Sequence, residues 1–353
     1  MKSYILLLCL LLCIAFVPEI DSSGSSLETV SYGYSNLSYE GLSSLYASAN
    51  IVFVDDTAGP GGDGSLDHPY QKISEGVDEA TDGFLVYVFN GVYSENIEIG
   101  KSITLIGESP RDTILRNPDV KDWMIKITAD NTKVMGFTID GRKANGIEGD
   151  ITGIVLKSKN VISNIDIRNC LNGGIQIEGL GKDHNIVTQC SFENCHKYGI
   201  YIESGQYNSI TNNSFNTIYS DLGGAIWVKS TTYNFITGNT FLDCSLAGVV
   251  VEAGAGSISM VGNTFCFCNP YGIWLSDASW FNYVALNDFE DNTEQHAYFY
   301  NAYFTIWIGN YWGEPFKQTG KKYTIYGNIT PLKIPWMQHD IQQAETRNNS
   351  PCS

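Results

Sequence analysis

Apolar residues recur along this chain in short alternating runs and lack helical spacing. Gly238-Asn-Thr-Phe241 and Gly262-Asn-Thr-Phe265 stand 24 residues apart; Leu286-Asn-Asp-Phe289 follows after another 24 and Gly309-Asn-Tyr-Trp312 after 23. Their last positions belong to one apolar column: Ile139, Ile167, Phe192, Phe215, Phe241, Phe265, Phe289 and Trp312. Five positions earlier a second column runs from Val134 through Ile210 and Ile236 to Trp307. A third segment reads Gly153-Ile-Val-Leu, Gly174-Ile-Gln-Ile, Gly199-Ile-Tyr-Ile, Ala225-Ile-Trp-Val, Gly248-Val-Val-Val, Gly272-Ile-Trp-Leu and Ala297-Tyr-Phe-Tyr. Such runs predict short strands with inward and outward residues in alternation. Two or three strands per 23–28 residues leave no room for crossover helices. One coil cannot bury its apolar face alone, whereas stacked coils share a continuous core. The pattern therefore predicts an all-β fold, a single parallel β-solenoid of about ten coils rising about 4.8 Å each.

Polar residues mark the corners. Asn213, Asn239, Asn263, Asn287 and Asn310 fall in one column, and Asn160, Asn185, Asn208, Asn234 and Asn282 in another. Asn tolerates left-handed backbone, and its amide can bond to the same residue one coil away, so both columns are expected to be structural ladders. Three residues after the Phe column come Cys170, Cys195, Ile218, Cys244 and Cys268. The Ile in the middle points the column inward and favours buried thiols. Disulfides Cys170–Cys195 and Cys244–Cys268 compete with that reading, although parallel Cβ vectors one coil apart exceed the usual disulfide range.

The ends differ from the middle. Ile5 to Val17 is a 13-residue apolar run after Met1-Lys2, too short to span a bilayer and suited to a secretory signal. Residues 1–22 are read as that signal and 23–50 as a flexible Ser-, Gly- and Tyr-rich leader. The N-terminal cap and first coils are placed at 51–128, the regular coils at 129–312, and a C-terminal cap and tail at 313–353. Ile73, Val77 and Ala80 at helical spacing predict a short helix over 70–81 that plugs the open end of the core. Ile325, Ile329, Leu332, Ile334 and Trp336 are expected to close the other end, with a frayed tail from Gln343.

Composition narrows the function. Lys plus Arg is 21 against 38 for Asp plus Glu, a net charge of −17. Nucleic acid and anionic headgroups need a basic surface, so both are excluded as main partners. No segment of the mature chain is apolar enough to anchor it in a membrane. The residues between the inward apolars of the third segment face solvent: Val155, Gln176, Tyr201, Trp227, Val250, Trp274 and Phe299. Exposed aromatics one coil apart form a surface on which sugar rings stack, and Tyr201, Trp227, Trp274 and Phe299 are the candidate carbohydrate-binding residues. The competing reading is that they stack on one another to stabilise the sheet.

Two positions further on come Glu203, Lys229 and Glu252, one per coil, and these are the candidate catalytic residues. Two carboxylates about 9.6 Å apart along the backbone suit an inverting glycosidase. Yet the ammonium between them favours two charged carboxylates over the one protonated acid that hydrolysis needs. Elimination from a uronate would use Lys229 as base, helped by a bound Ca²⁺. Asp288, Glu290 and Asp291 are a candidate Ca²⁺ loop, competing with an ordinary solvated acidic turn. No other cofactor is expected.

Tyr70-Gln-Lys-Ile-Ser-Glu-Gly-Val-Asp-Glu-Ala-Thr-Asp-Gly83, Asn90-Gly-Val-Tyr-Ser-Glu-Asn-Ile97 and Lys101-Ser-Ile-Thr-Leu-Ile-Gly-Glu108 resemble the opening of pectin-lyase-like β-helices. The later coils resemble the NosD-like group, and Gly309-Asn-Tyr-Trp-Gly313 with Ile334-Pro-Trp336 resembles its exported archaeal members. The resemblance, over about residues 51–336, implies a single-stranded right-handed parallel β-helix with a short N-terminal capping helix. It also implies modules of carbohydrate-binding and sugar-hydrolase proteins. Asn-Thr-Asp, Gly-His-Gly, Arg-Ile-Lys and Asp-Pro-His-Asp, signatures of the hydrolases and epimerases of this fold, are missing from the chain. NosD-like proteins are linked with copper export, but the five His form no cluster, and only His196 neighbours a cysteine, Cys195. The expectation is therefore an exported, extracellular or cell-surface β-helix, non-catalytic, whose partner is a polysaccharide or cell-envelope glycan. A polysaccharide lyase or glycoside hydrolase on the same aromatic face is the alternative, and a copper-binding protein comes third.

Overall fold

The computed structural model of the protein describes residues 50–179, 181–313, 323–329, 334–340, 344 and 346–349. The signal and all but Asn50 of the leader lie outside these residues. The chain winds a right-handed β-solenoid of about nine turns, one fewer than expected. Three rows of strands build it. The first runs from Ile97–Ile99 through Gly173–Glu178, Ile200–Glu203 and Ile226–Lys229 to Gln295–Tyr300. The second runs from Ile51–Val54 to Ile306–Ile308, and the third from Gly91–Tyr93 to Asp288–Glu290. Pairing within each row is parallel and in register, so a residue's place in one coil fixes its place in the next.

Inward residues of the rows form the core. The Phe column is a continuous stack: consecutive rings from Phe192 to Trp312 lie 4.5–4.9 Å apart with planes within 9° of parallel. That stack explains the glycine opening each Gly-Ile-x-Ile strand. A Cβ at Gly174 would fall 2.7 Å from the Phe192 ring, and one at Gly199 2.7 Å from Phe215. Cys170, Cys195, Cys244 and Cys268 of the inward column are buried free thiols, and so is Cys190. Burial pushes the Cys190 thiol up to about 12.

Both Asn columns are ladders. Asn213 donates through its backbone N–H (2.9 Å) and its Nδ2 (3.0 Å) to Asn239 Oδ1, and Asn239 does the same to Asn263. Asn263 and Asn287 continue to Asn310, whose two donors end on Asp340 Oδ2, both at 2.9 Å. The second ladder runs from Asn160 to Asn234 and is interrupted at Ile258.

The ends are closed by different devices. Helix Ile73–Glu79 buries Ile73 and Val77 over the first coil, and Ala80, which caps its C-terminus, is buried beside them. Its free N–H groups at Ile73 and Ser74 donate to the Glu95 carboxylate (2.8 and 2.9 Å), and Lys101 Nζ donates to the carbonyls of Val77, Asp78 and Ala80. Each charge thus lies at the helix end whose dipole it complements. At the other end the chain reverses, and Tyr323–Ile329 pairs antiparallel with Ile334–Asp340. Ile325 is buried there as expected; the side chains of Ile329, Leu332, Ile334 and Trp336 lie outside the described residues. The tail departs from expectation, because its described part is docked. Ala344 donates to the Asn310 carbonyl, Arg347 pairs with Glu290, and Asn348 and Asn349 donate to Asp288. A buried carboxylate without partners is costly, and the tail supplies them.

Candidate functional site

The first row carries the outward residues singled out above. Register places Gln176, Tyr201, Trp227, Val250 and Trp274 on consecutive coils. They divide into two clusters. Tyr201 and Trp227 lie 4.8 Å apart, with Tyr198 5.3 Å from Tyr201. Val250 separates this cluster from Trp274, Tyr271 and Tyr298. Val250 is fully covered, with Gly224 against it and Gly223 against the Trp227 ring, so loop 219–224 folds over the row between the clusters. Tyr201 is only 8% exposed. Burial, then its bond to Glu203, raises its phenol, and burial takes Tyr198 up to about 12.

Phe299 is corrected. Register pairs Trp274 with Tyr298 and Leu275 with Phe299, so Phe299 is wholly buried in the core and Tyr298 takes the outward place. His296, not Ala297, fills the glycine position opposite Gly272, and this one-residue slip turns every following side chain to the other face.

Glu203, Lys229 and Glu252 sit on consecutive coils beside the first cluster. Lys229 Nζ lies 3.5 Å from Glu203 Oε1 and 5.5 Å from the Trp227 ring centroid. Trp227 Nε1 donates to Glu252 Oε1 at 2.9 Å. Both carboxylates therefore already have partners that hold the aromatic cluster in place. Of the proposed Ca²⁺ ligands, Asp288 is engaged by the tail and Glu290 by Arg347. Among the described residues no group of three or more His, Cys, Asp or Glu is arranged to hold a metal.

A second aromatic surface is absent from the expectations above. At the corner between the first and second rows, His184, Tyr207, Tyr233, Ser257, Phe281 and Phe304 share one column, all left-handed with φ of 52–60°. Bulky residues rarely adopt that conformation. Tyr207 and Tyr233 stack at 5.4 Å, Phe281 and Phe304 at 5.2 Å, and all four are well exposed. The next outward column adds Phe235, Tyr283 and Ile306, also exposed. The sequence carries a signal for it: an aromatic directly precedes the ladder asparagine in Tyr207-Asn208, Tyr233-Asn234 and Phe281-Asn282.

The profile of the right handed beta helix region family matches residues 125–310. A cell surface glycoprotein of Methanothermus fervidus is 34% identical over 97 residues, 27% of this chain; the match spans only 16% of that relative's length. Among solved structures, the lacto-N-biosidase of Eubacterium ramulus superposes with a TM-score of 0.56 at 11% identity, over 76% of this chain and 62% of the other. The A-module of the Azotobacter vinelandii mannuronan C-5 epimerase does so with 0.54 at 16% identity, over 68% and 70%. At such identities these likenesses concern the fold alone. Among the described residues no helix is long and apolar enough to cross a membrane.

Proposed function

The chain belongs to the right handed beta helix region family, and from that premise we propose that it is an exported cell-surface protein that binds a glycan without cleaving it. The observation that carries this reading is the first-row surface, where Trp227 and Trp274 stand outward and Trp227 lies beside polar groups that are already tethered. Sugar rings present apolar faces and hydroxylated edges, and an aromatic flanked by Glu203, Lys229 and Glu252 offers a partner to each. The relative named as a cell surface glycoprotein and the sugar-active proteins that share the fold support a setting in which glycans are at hand.

The alternative, elimination or hydrolysis by Glu203, Lys229 and Glu252, draws on their adjacent coils. It is weakened by the ion pair and indole bond that engage both carboxylates. One experiment separates the readings. The full chain is placed on a glycan array and incubated with polyuronates and Ca²⁺ while absorbance of unsaturated product is followed. Retention of a glycan that is lost in Trp227→Ala and Trp274→Ala at unchanged melting temperature is expected. Wild-type turnover abolished by Lys229→Ala would establish the enzyme instead, and no retention of any glycan would remove the binding reading.

A further inference from the structure

One coil breaks both patterns at the corner between the first and second rows. Ser257-Ile258-Ser259 stands where neighbouring coils carry Tyr233-Asn234-Phe235 and Phe281-Asn282-Tyr283. Both outer columns therefore carry serine in this coil, between Tyr233 and Phe281 in one and between Phe235 and Tyr283 in the other, where serine also stands at Ser209. Elsewhere in the corner column stacked rings are 5.2–5.4 Å apart. Across the serine coil the spacing is two coil rises, about 9.6 Å, which leaves room for one ring about 4.8 Å from each wall. That is the spacing at which the core Phe rings stack. Tyr233 and Phe235 form one wall, Phe281 and Tyr283 the other, and Ser257 and Ser259 the floor. Neither serine hydroxyl has a hydrogen-bond partner among the described residues. Trp280 leans on Gly256 and donates to the Gly254 carbonyl at 3.1 Å, flanking the opening.

We infer that this notch is a second sugar subsite, which takes one ring of a neutral glycan between its aromatic walls. An occupant must be a ring with apolar faces and a hydroxylated edge, because the walls offer faces and the floor offers free hydroxyls. A purely aromatic side chain would leave the hydroxyls without partners. A uronate would bring negative charge to a chain of net −17, at a notch whose six lining residues carry no charge. The ligand class rests on the glycan reading above, but the site is separate from the first-row surface.

The notch can be filled without touching that surface. Ser257→Tyr restores the missing rung at a position whose backbone already accommodates Tyr in the coil before, and Ser259→Phe does the same one column over. Affinity of the full chain for neutral hexose and N-acetylhexosamine oligomers is measured by titration calorimetry, with melting temperature measured alongside. Each filling variant should weaken binding about tenfold or more while its melting temperature holds or rises. Phe281→Ser, which removes a wall, should weaken it similarly. Filling variants that bind like wild type, while Trp227→Ala does not, would overturn the notch and leave the first-row reading standing. A wild-type chain that binds polyuronates but no neutral oligomer would also overturn it. Loss of binding in the filling variants that is independent of Trp227→Ala would establish it.

Discussion

Two of the protein's aromatic columns, one buried and one exposed, share a period and differ in continuity. Inside, the rings from Phe192 to Trp312 stack without a gap; outside, the column from Tyr207 to Phe304 is interrupted at Ser257. The inner stack has no water to meet and fills its volume coil by coil, so a missing ring would be a void. The outer column borders solvent, which fills any gap at little cost. Continuity in the first is therefore a requirement of stability, and interruption in the second is available for recognition.

The sharpest way to break this contrast is to cut one ring from each column. Phe241→Ala should cost about 3–5 kcal/mol and unsettle both neighbouring coils, read as a lower urea midpoint. Acid probes the same interior. His296 lies against Phe289 and Trp312, and burial lowers its imidazole to about 4. Because the folded value lies below the unfolded one near 6.5, the unfolded chain binds the extra proton. Stability is then retained above pH 6.5 and falls as pH drops toward 4, by about 3 kcal/mol at the limit. Thermal melts of wild type and His296→Gln across this range should converge at low pH if the imidazole is responsible. Asn263→Ala removes the acceptor of two Asn239 donors and should cost about 1–3 kcal/mol, with no recovery in Asn263→Leu. Tyr207→Ala in the outer column should cost about 1 kcal/mol or less, since its ring is half exposed. A Tyr207→Ala loss equal to that of Phe241→Ala would erase the distinction between the columns.

The fold was legible because burial writes a period of its own. Each inward strand position stays apolar from coil to coil, so Phe241, Phe265 and Phe289 announce one another, and the buried ladder asparagines do likewise at the corners. The outward surface obeys no such rule. Ala297-Tyr-Phe-Tyr fits the strand motif in two registers, and the buried His296 opposite Gly272 decides for the one that turns Phe299 inward. The covering of Val250 depends on loop 219–224, whose path no repeat predicts. The docked tail is hidden in the sequence for a related reason: Asp288 reads as a solvated acid until Asn348 and Asn349 are placed on it. The corner aromatics were visible before each ladder asparagine, but their exposure depends on a left-handed backbone that points them away from the core.

The long asparagine ladder has a direction, since each rung donates to the coil that follows and accepts from the one before. Deleting or copying an interior coil between two such asparagines would therefore leave the same pair of ladder bonds at the join. The last rung is different. The carboxylate of Asp340 can only accept, so both Asn310 donors end on it and the chain of side-chain amides closes there. The ladder thus makes no distinction among its inner rungs, while its last one is marked by a change of a single functional group, amide to carboxylate.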